Sequence, residues 1–168
     1  LQFADHRYQN LTAPPPKELR KEDHLLISDL VKYSSYMSTT KLANRSDLTL
    51  RFGDLFYNPA KSDEYFLCIT PSCDCMHPEN IKNNFYFVKG GTSNSLESIQ
   101  AAETGFHSFV LRNNEPECIE WQCKPFTSFV KLNDINKMVL DYCGSQIVLK
   151  PLTVLKENFT QRVANEAF

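Results

Sequence analysis

Short apolar runs separated by turn-forming residues occupy most of the chain after residue 47. Many short strands with regularly spaced turn signals are typical of a β-barrel or a β-sandwich. The predicted strands cover residues 48–57, 65–70, 84–89, 106–112, 117–123, 126–132, 138–142 and 146–150. The pattern therefore predicts a mainly β (α+β) fold built on a small, partly open β-barrel.

Two segments show helical spacing of apolar residues instead. The first covers residues 17–37, and its apolar stripe comprises Leu26, Leu30, Tyr33 and Met37, widened by Ile27 and Val31. The second follows Pro151, which we expect to end the last strand, and its stripe comprises Leu152, Leu155, Phe159 and Val163. We predict an N-terminal and a C-terminal helix that flank the barrel, with the first stripe docked on it.

The remaining segments define the domain organisation. Three consecutive prolines end at Pro16, and a run of prolines cannot form a helix interior. Residues 1–16 are therefore predicted to be an extended arm or linker, and residues 17–168 a single barrel domain with flanking helices. A capping pattern at Asn94 also predicts a brief helix that reaches Ala102 and ends before Gly105.

Composition narrows the class of protein. The chain has 168 residues, 23% of them charged, and a formal net charge of −2. An acidic balance gives no general attraction to phosphate backbones, so nucleic-acid binding is not expected. No apolar run reaches the length that spans a bilayer. A chain of this size does not need disulfides to stabilise its core, so we interpret the six cysteines as thiols of a reducing cytoplasm.

The densest group of reactive side chains follows the second predicted strand. Cys73, Cys75 and His77 are spaced two residues apart, and side chains with this spacing in an extended segment project to one side. Cys118 and Cys123 could complete a tetrahedral zinc site if a bulge brought both to the same side of their strand. The competing interpretation is that these cysteines are free thiols that pack as small apolar side chains.

Gly53 and Asp54 interrupt an otherwise apolar strand, although strands disfavour both residue types. With Asp74, they define a candidate functional strand end. We interpret the Gly-Asp pair as a bulge or as the start of a strand rather than as a catalytic acid.

Three strings carry a resemblance to known proteins: RFGDLF at residues 51–56, LCITPSCDC at 67–75 and IKNNFYFVKG at 81–90. Together they resemble the C-terminal region of uncharacterised bacterial proteins that have an N-terminal response-receiver-like domain and are often linked to phage defence. The resemblance covers roughly residues 19–168. It implies an output module whose partner is another protein or an adjacent receiver-like domain.

The Gly-Asp pair before an apolar strand is also similar to PemK/MazF-type toxins, which are small barrels. In that family an Arg-Pro pair precedes the second strand, and the arginine serves RNA cleavage. This chain has Ser62, Asp63 and Glu64 there. The similarity therefore implies the barrel, whereas we expect no ribonuclease activity.

These observations favour a non-catalytic protein-interaction or output module of a bacterial cytoplasmic regulatory or defence protein. Such a module needs no cofactor, and homodimerisation stays open. The competing hypotheses are a zinc-stabilised binding module that uses the cysteine and histidine cluster, and a PemK/MazF-like nuclease.

Overall fold

Eight antiparallel strands and three α-helices make up the described part of the chain, which covers residues 21–40, 48–93 and 107–168 of the computed structural model. The helices are α1 (Lys21–Ser38), α2 (Ser72–Met76) and α3 (Glu157–Ala167). The strands are β1 (Thr39–Thr40), β2 (Asp54–Asn58), β3 (Lys61–Cys68), β4 (Asn84–Ser93), β5 (His107–Arg112), β6 (Glu115–Phe129), β7 (Met138–Tyr142) and β8 (Ser145–Leu155). A 3-10 turn, Ile135–Lys137, precedes β7.

The strands form one curled sheet in the order β1-β8-β2-β3-β4-β6-β5, and β7 pairs with β8. The curl brings β7 back to β6, where the backbone N–H of Asp141 donates to Ser128 Oγ at 2.9 Å. The rings of Phe66, Phe126 and Tyr142 meet edge to face across this closure, at centroid distances of 4.8 to 6.2 Å. The predicted mainly β fold with a partly open barrel and flanking helices is confirmed.

Both faces of β2 and of the second half of β3 are buried, which explains why these segments read as continuous apolar runs rather than as alternating ones. Phe56 and Phe66 belong to the cluster that the curled sheet encloses. Leu55 and Tyr65, their neighbours in the chain, point to the other face, where α3 covers the sheet through Val163. The sheet thus separates two cores: the core that it encloses, and a second core between its outer face and α3.

Two predicted strand boundaries are wrong because each was placed at a proline. In the structure the strand continues past that proline, at a point where its register against the neighbouring strand shifts. Pro151 does not end β8, which continues to Leu155, since the register against β2 shifts at Leu55 and Phe56, opposite Pro151. The predicted strands 117–123 and 126–132 are one strand, β6. Its register against β4 shifts where Cys123 adopts a φ of 49°, two residues before Pro125. A bulge is where a strand tolerates a residue that has no N–H donor.

Other boundaries also differ from the prediction. The regular part of the first predicted strand, 48–57, begins only at Asp54, and Thr39–Thr40 form an edge strand that the pattern did not indicate. In the C-terminal stripe, Leu152 and Leu155 belong to β8, and the helix begins at Glu157. The arm over 1–16 and the brief helix from Asn94 lie outside the described residues.

Candidate functional site

Gly53 and Asp54 shape the start of β2. Gly53 has a φ of 93°, its N–H donates to the Cys68 carbonyl at 2.9 Å, and its carbonyl accepts from the Leu155 N–H at 2.8 Å. The Asp54 carboxylate is buried, and its Oδ2 accepts from the Arg51 N–H at 2.9 Å. This geometry agrees with a strand start: the pair joins β2, β3 and β8, and the carboxylate closes a turn.

Cys73 and Cys75 lie in the short helix α2 and His77 directly follows it, so the expectation of an extended segment is wrong. Pro71 precedes α2, and its carbonyl accepts from the Cys75 N–H at 3.0 Å, which forms the first helical turn. Residues two apart on a helix project roughly 200° apart. Consequently Cys73 is exposed, whereas Cys75 is buried and its thiol donates to the Thr70 carbonyl at 3.3 Å. Asp74 lies in the first turn of α2.

The five candidate zinc ligands are dispersed among different surroundings. Cys75 packs in the enclosed core and Cys118 beneath α1, while Cys123 lies against the core beneath α3. The exposed His77 faces Glu79, with Nδ1 and Oε1 3.3 Å apart. Although β6 bulges at Cys123, the bulge does not place Cys118 and Cys123 in one cluster. Within the described residues no group of three or more His, Cys, Asp or Glu could hold a metal ion, so the zinc hypothesis gains no support.

Cys68 was not singled out by the sequence, yet it contacts Cys75 in the enclosed core. Burial, together with the neighbouring Cys75 thiol, raises the pKa of the Cys68 thiol well above its ordinary value. A thiol held in its protonated form is a poor nucleophile and a poor metal ligand. Cys68 therefore acts as an apolar side chain, and Cys75 is buried beside it in the same core, as the competing interpretation proposed for the cysteines.

A partly buried ion pair joins β3 and β4 at the edge of the enclosed core. Glu64 Oε1 lies 2.7 Å from Lys89 Nζ, and Glu64 Oε2 accepts from Asn58 Nδ2 at 2.9 Å. Lys89 also lies 5.1 Å from the centroid of the Tyr142 ring. Burial acts to raise the pKa of the Glu64 carboxyl, but the hydrogen bonds from Lys89 and Asn58 outweigh it, so this pKa is lowered. The hydrogen bond to Glu64 raises the pKa of Lys89.

This ion pair predicts a pH-dependent contribution to stability. Because folding lowers the pKa of Glu64, its contribution is present above the unfolded-state value of about 4.3 and is lost as the pH falls through the folded-state value. We expect Glu64→Gln to lower the free energy of unfolding by about 1–2 kcal/mol at pH 7. The difference from the wild type should shrink below about pH 4, measured by urea unfolding across pH.

An exposed glutamate provides the control for that comparison. Glu115→Gln makes the same substitution at the exposed start of β6, and it should change stability by less than about 0.5 kcal/mol. A Glu64→Gln difference that grew on acidification would contradict the assignment.

A second polar cluster lies at the opposite face of β3. Arg112 donates to the Ser62 carbonyl at 2.7 Å and to the Tyr65 hydroxyl at 3.1 Å, and its guanidinium lies 4.6 Å from the centroid of the Tyr57 ring. The Tyr65 hydroxyl donates to Glu117, and burial raises the pKa of the Glu117 carboxyl. Arg112, which contacts the beginning of β3, thus comes from β5 and is already bound by protein groups.

Two adjoining hollows lie between α2 and the segment that leads into β2. Their volumes are about 470 and 370 Å³. Both are lined by Thr49, Leu50, Cys75 and Met76. Neither carboxylate of the predicted strand end, Asp54 or Asp74, lines them. The hollows lie at the strand end that the sequence indicated, but the carboxylates predicted for that site do not line them.

The most unusual surface is the outward face of α1. The apolar stripe of this helix does not dock on the barrel, which corrects the sequence-based expectation. It comprises Leu26, Leu30, Tyr33 and Met37, with Leu25 and Tyr36 beside them, and each of these side chains is 50% to 70% exposed. We call these six residues the outward stripe.

Small side chains hold the opposite face of α1 against β5 and β6. Val31 packs on Phe109 and Cys118. Ser35 and Ser38 are buried, and Ser38 Oγ donates to the Phe109 carbonyl at 2.9 Å. Small residues allow the helix to approach the sheet closely, so the bulkier stripe is left facing outward. Sequence reasoning missed this surface because it assigned the largest apolar side chains to the core.

Comparison of the chain with protein-family models, with curated proteins and with solved structures finds no match. Among the described helices, none is both long and apolar enough to cross a membrane. A functional proposal therefore rests on the geometry of the described surfaces.

Proposed function

We propose that this chain is a non-catalytic protein-interaction or output module that contacts its partner through the outward stripe of α1. The observation that carries the proposal is the exposure of six large apolar side chains on one helix. Contiguous apolar surface of this kind is costly to leave in water and marks interaction sites in soluble proteins.

The way α1 is anchored supports this role. Ser38 lies at the end of the helix, where its hydroxyl binds β5 and its carbonyl accepts from the Lys156 N–H at 2.8 Å. β1 follows directly and pairs Thr39 with Leu155 of β8. A helix held in place by the sheet presents its outward face in a preformed conformation, and less conformational entropy is then lost on binding.

The charged groups of the barrel favour a binding role over the nuclease hypothesis. Phosphoryl-transfer sites need positive charge that is directed at the reacting phosphate. Here Lys89 is paired with Glu64, and Arg112 binds a carbonyl, a phenol and a ring face next to Glu117. The resemblance noted above supplies the setting, in which the partner is a protein or an adjacent receiver-like domain in the bacterial cytoplasm.

Site-specific photo-crosslinking in cells that naturally express the chain tests the proposal. A photoreactive phenylalanine analogue replaces Tyr33, within the outward stripe, or Lys137, which is exposed in the turn before β7 and away from α1. We expect a discrete protein adduct, either with another protein or with a second copy, from position 33 and none from position 137. Equal yields at both positions, or no adduct at either, would refute an interaction through this surface.

A further inference from the structure

We propose that the outward stripe of α1 binds the same stripe of a second copy of this chain, so that two α1 helices pack against each other in a two-fold symmetric dimer. This inference rests on the proposed function and names the partner of that surface.

The first observation is the spacing within the stripe. Leu26, Leu30, Tyr33 and Met37 follow one another at intervals of four, three and four residues. That spacing repeats every seven residues and is the pattern by which two helices interlock side chains along a common seam. The same spacing also defines the apolar face of an ordinary amphipathic helix, so it is compatible with a helical partner without requiring one. An identical helix carries the matching pattern.

The second observation is the position of the stripe around the helix. With 3.6 residues per turn, the stripe lies on nearly the opposite side of α1 from Val31, Ser35 and Ser38, which contact the sheet. A second helix can therefore approach the stripe without meeting the barrel that carries it. The same surface patch on both chains then forms a closed interface, which is the usual geometry of homodimers.

The third observation is the composition of the surface. All six residues of the stripe are uncharged. The exposed Asp29 lies on the same face, four residues from Leu25 and from Tyr33, and the exposed Lys32 lies four residues before Tyr36. The charges beside the stripe are therefore few and of both signs. A partner selected by charge would be expected to meet a strongly acidic or basic face, which the stripe does not offer.

The area agrees with a dimer of moderate affinity. Taking about 150–250 Å² for a large side chain, the outward stripe exposes on the order of 550–950 Å² per chain at its observed exposures. Specific interfaces bury about 800 Å² per partner. The stripe supplies most of this area and its polar margins the rest, so we expect self-association in the micromolar range rather than an obligate dimer.

Sedimentation equilibrium of the purified full chain tests this inference, over concentrations from about 1 μM to about 1 mM, which span ordinary to weak protein affinities. We expect the mass to rise from one chain to two. Leu30→Glu should weaken association by at least about 100-fold, because two charges would be buried at the seam. The control Lys137→Glu adds the same side chain to the exposed turn before β7, away from α1, and should leave the association within about two-fold. Circular dichroism verifies folding, and Tyr33→Glu replaces Leu30→Glu if that variant is unfolded.

The outcomes separate this inference from the proposed function. A purified chain that stays monomeric at the highest concentration, or a dimer that Leu30→Glu and Tyr33→Glu leave unchanged, overturns self-association through the stripe. If position 33 nevertheless crosslinks a different protein in cells, the proposed function stands with another partner. A monomer that gives no adduct from position 33 overturns both.

Discussion

Replacing Gly53 with alanine is expected to lower the free energy of unfolding by about 4 kcal/mol, a large part of the 5–15 kcal/mol that stabilises a typical domain. Gly53 has a φ of 93°, which costs other residues about 1–3 kcal/mol. An added Cβ would also lie 2.3 Å from the Leu155 carbonyl oxygen and 2.9 Å from Thr160 Oγ1. The nearer atom is backbone and cannot turn aside, so β2 must shift against β8.

Gly144 provides the matched control for that substitution. It has a similar φ of 76°, but a Cβ added there would meet nothing within 4 Å. Gly144→Ala should therefore lower the free energy of unfolding by about 1 kcal/mol. This loss measures the backbone strain alone, because the added Cβ meets no neighbouring atom. Urea unfolding of both variants checks the comparison. Equal costs at the two glycines would contradict the close contact between Gly53 and β8.

Most of the barrel could be predicted from the sequence because turn residues separate its apolar runs. The hairpin of β7 and β8, for example, turns at Cys143 and Gly144, both of which adopt positive φ values. Strand limits were harder to predict where a proline lies at a bulge. Pro125 and Pro151 are accommodated by register shifts that depend on the partner strand, and a single strand's sequence does not reveal its partner's register.

The candidate site after β3 was less predictable from the sequence, because the segment that follows Pro71 is compatible with two local structures. Pro71 signals the end of a strand, but it also precedes a helical turn, and the choice decides whether Cys73 and Cys75 share a side. For α1, both faces carry apolar residues. The orientation follows from close packing around Ser35 and Ser38, and from contacts with β5, far away in sequence. Helical periodicity alone cannot supply that information.

Replacing Val31 with glutamate is expected to lower the free energy of unfolding by about 4 kcal/mol, whereas Leu30→Glu, one residue earlier, should change it by less than about 0.5 kcal/mol in dilute, monomeric protein. Val31 is buried against Phe109 and Cys118, so a carboxylate at this position would lose its hydration among apolar side chains. Leu30 is 58% exposed, so its replacement stays hydrated. Helix propensities of leucine and glutamate are similar, which leaves α1 itself nearly unaffected.

This pair tests most directly the claim that α1 docks through its small residues and presents its large apolar residues to a partner. The measurement is urea unfolding of both variants and the wild type at a concentration below that of self-association. The account predicts a large loss of stability for Val31→Glu and almost none for Leu30→Glu. A loss for Leu30→Glu as large as that for Val31→Glu would show that the stripe is buried within the chain, and would contradict the account.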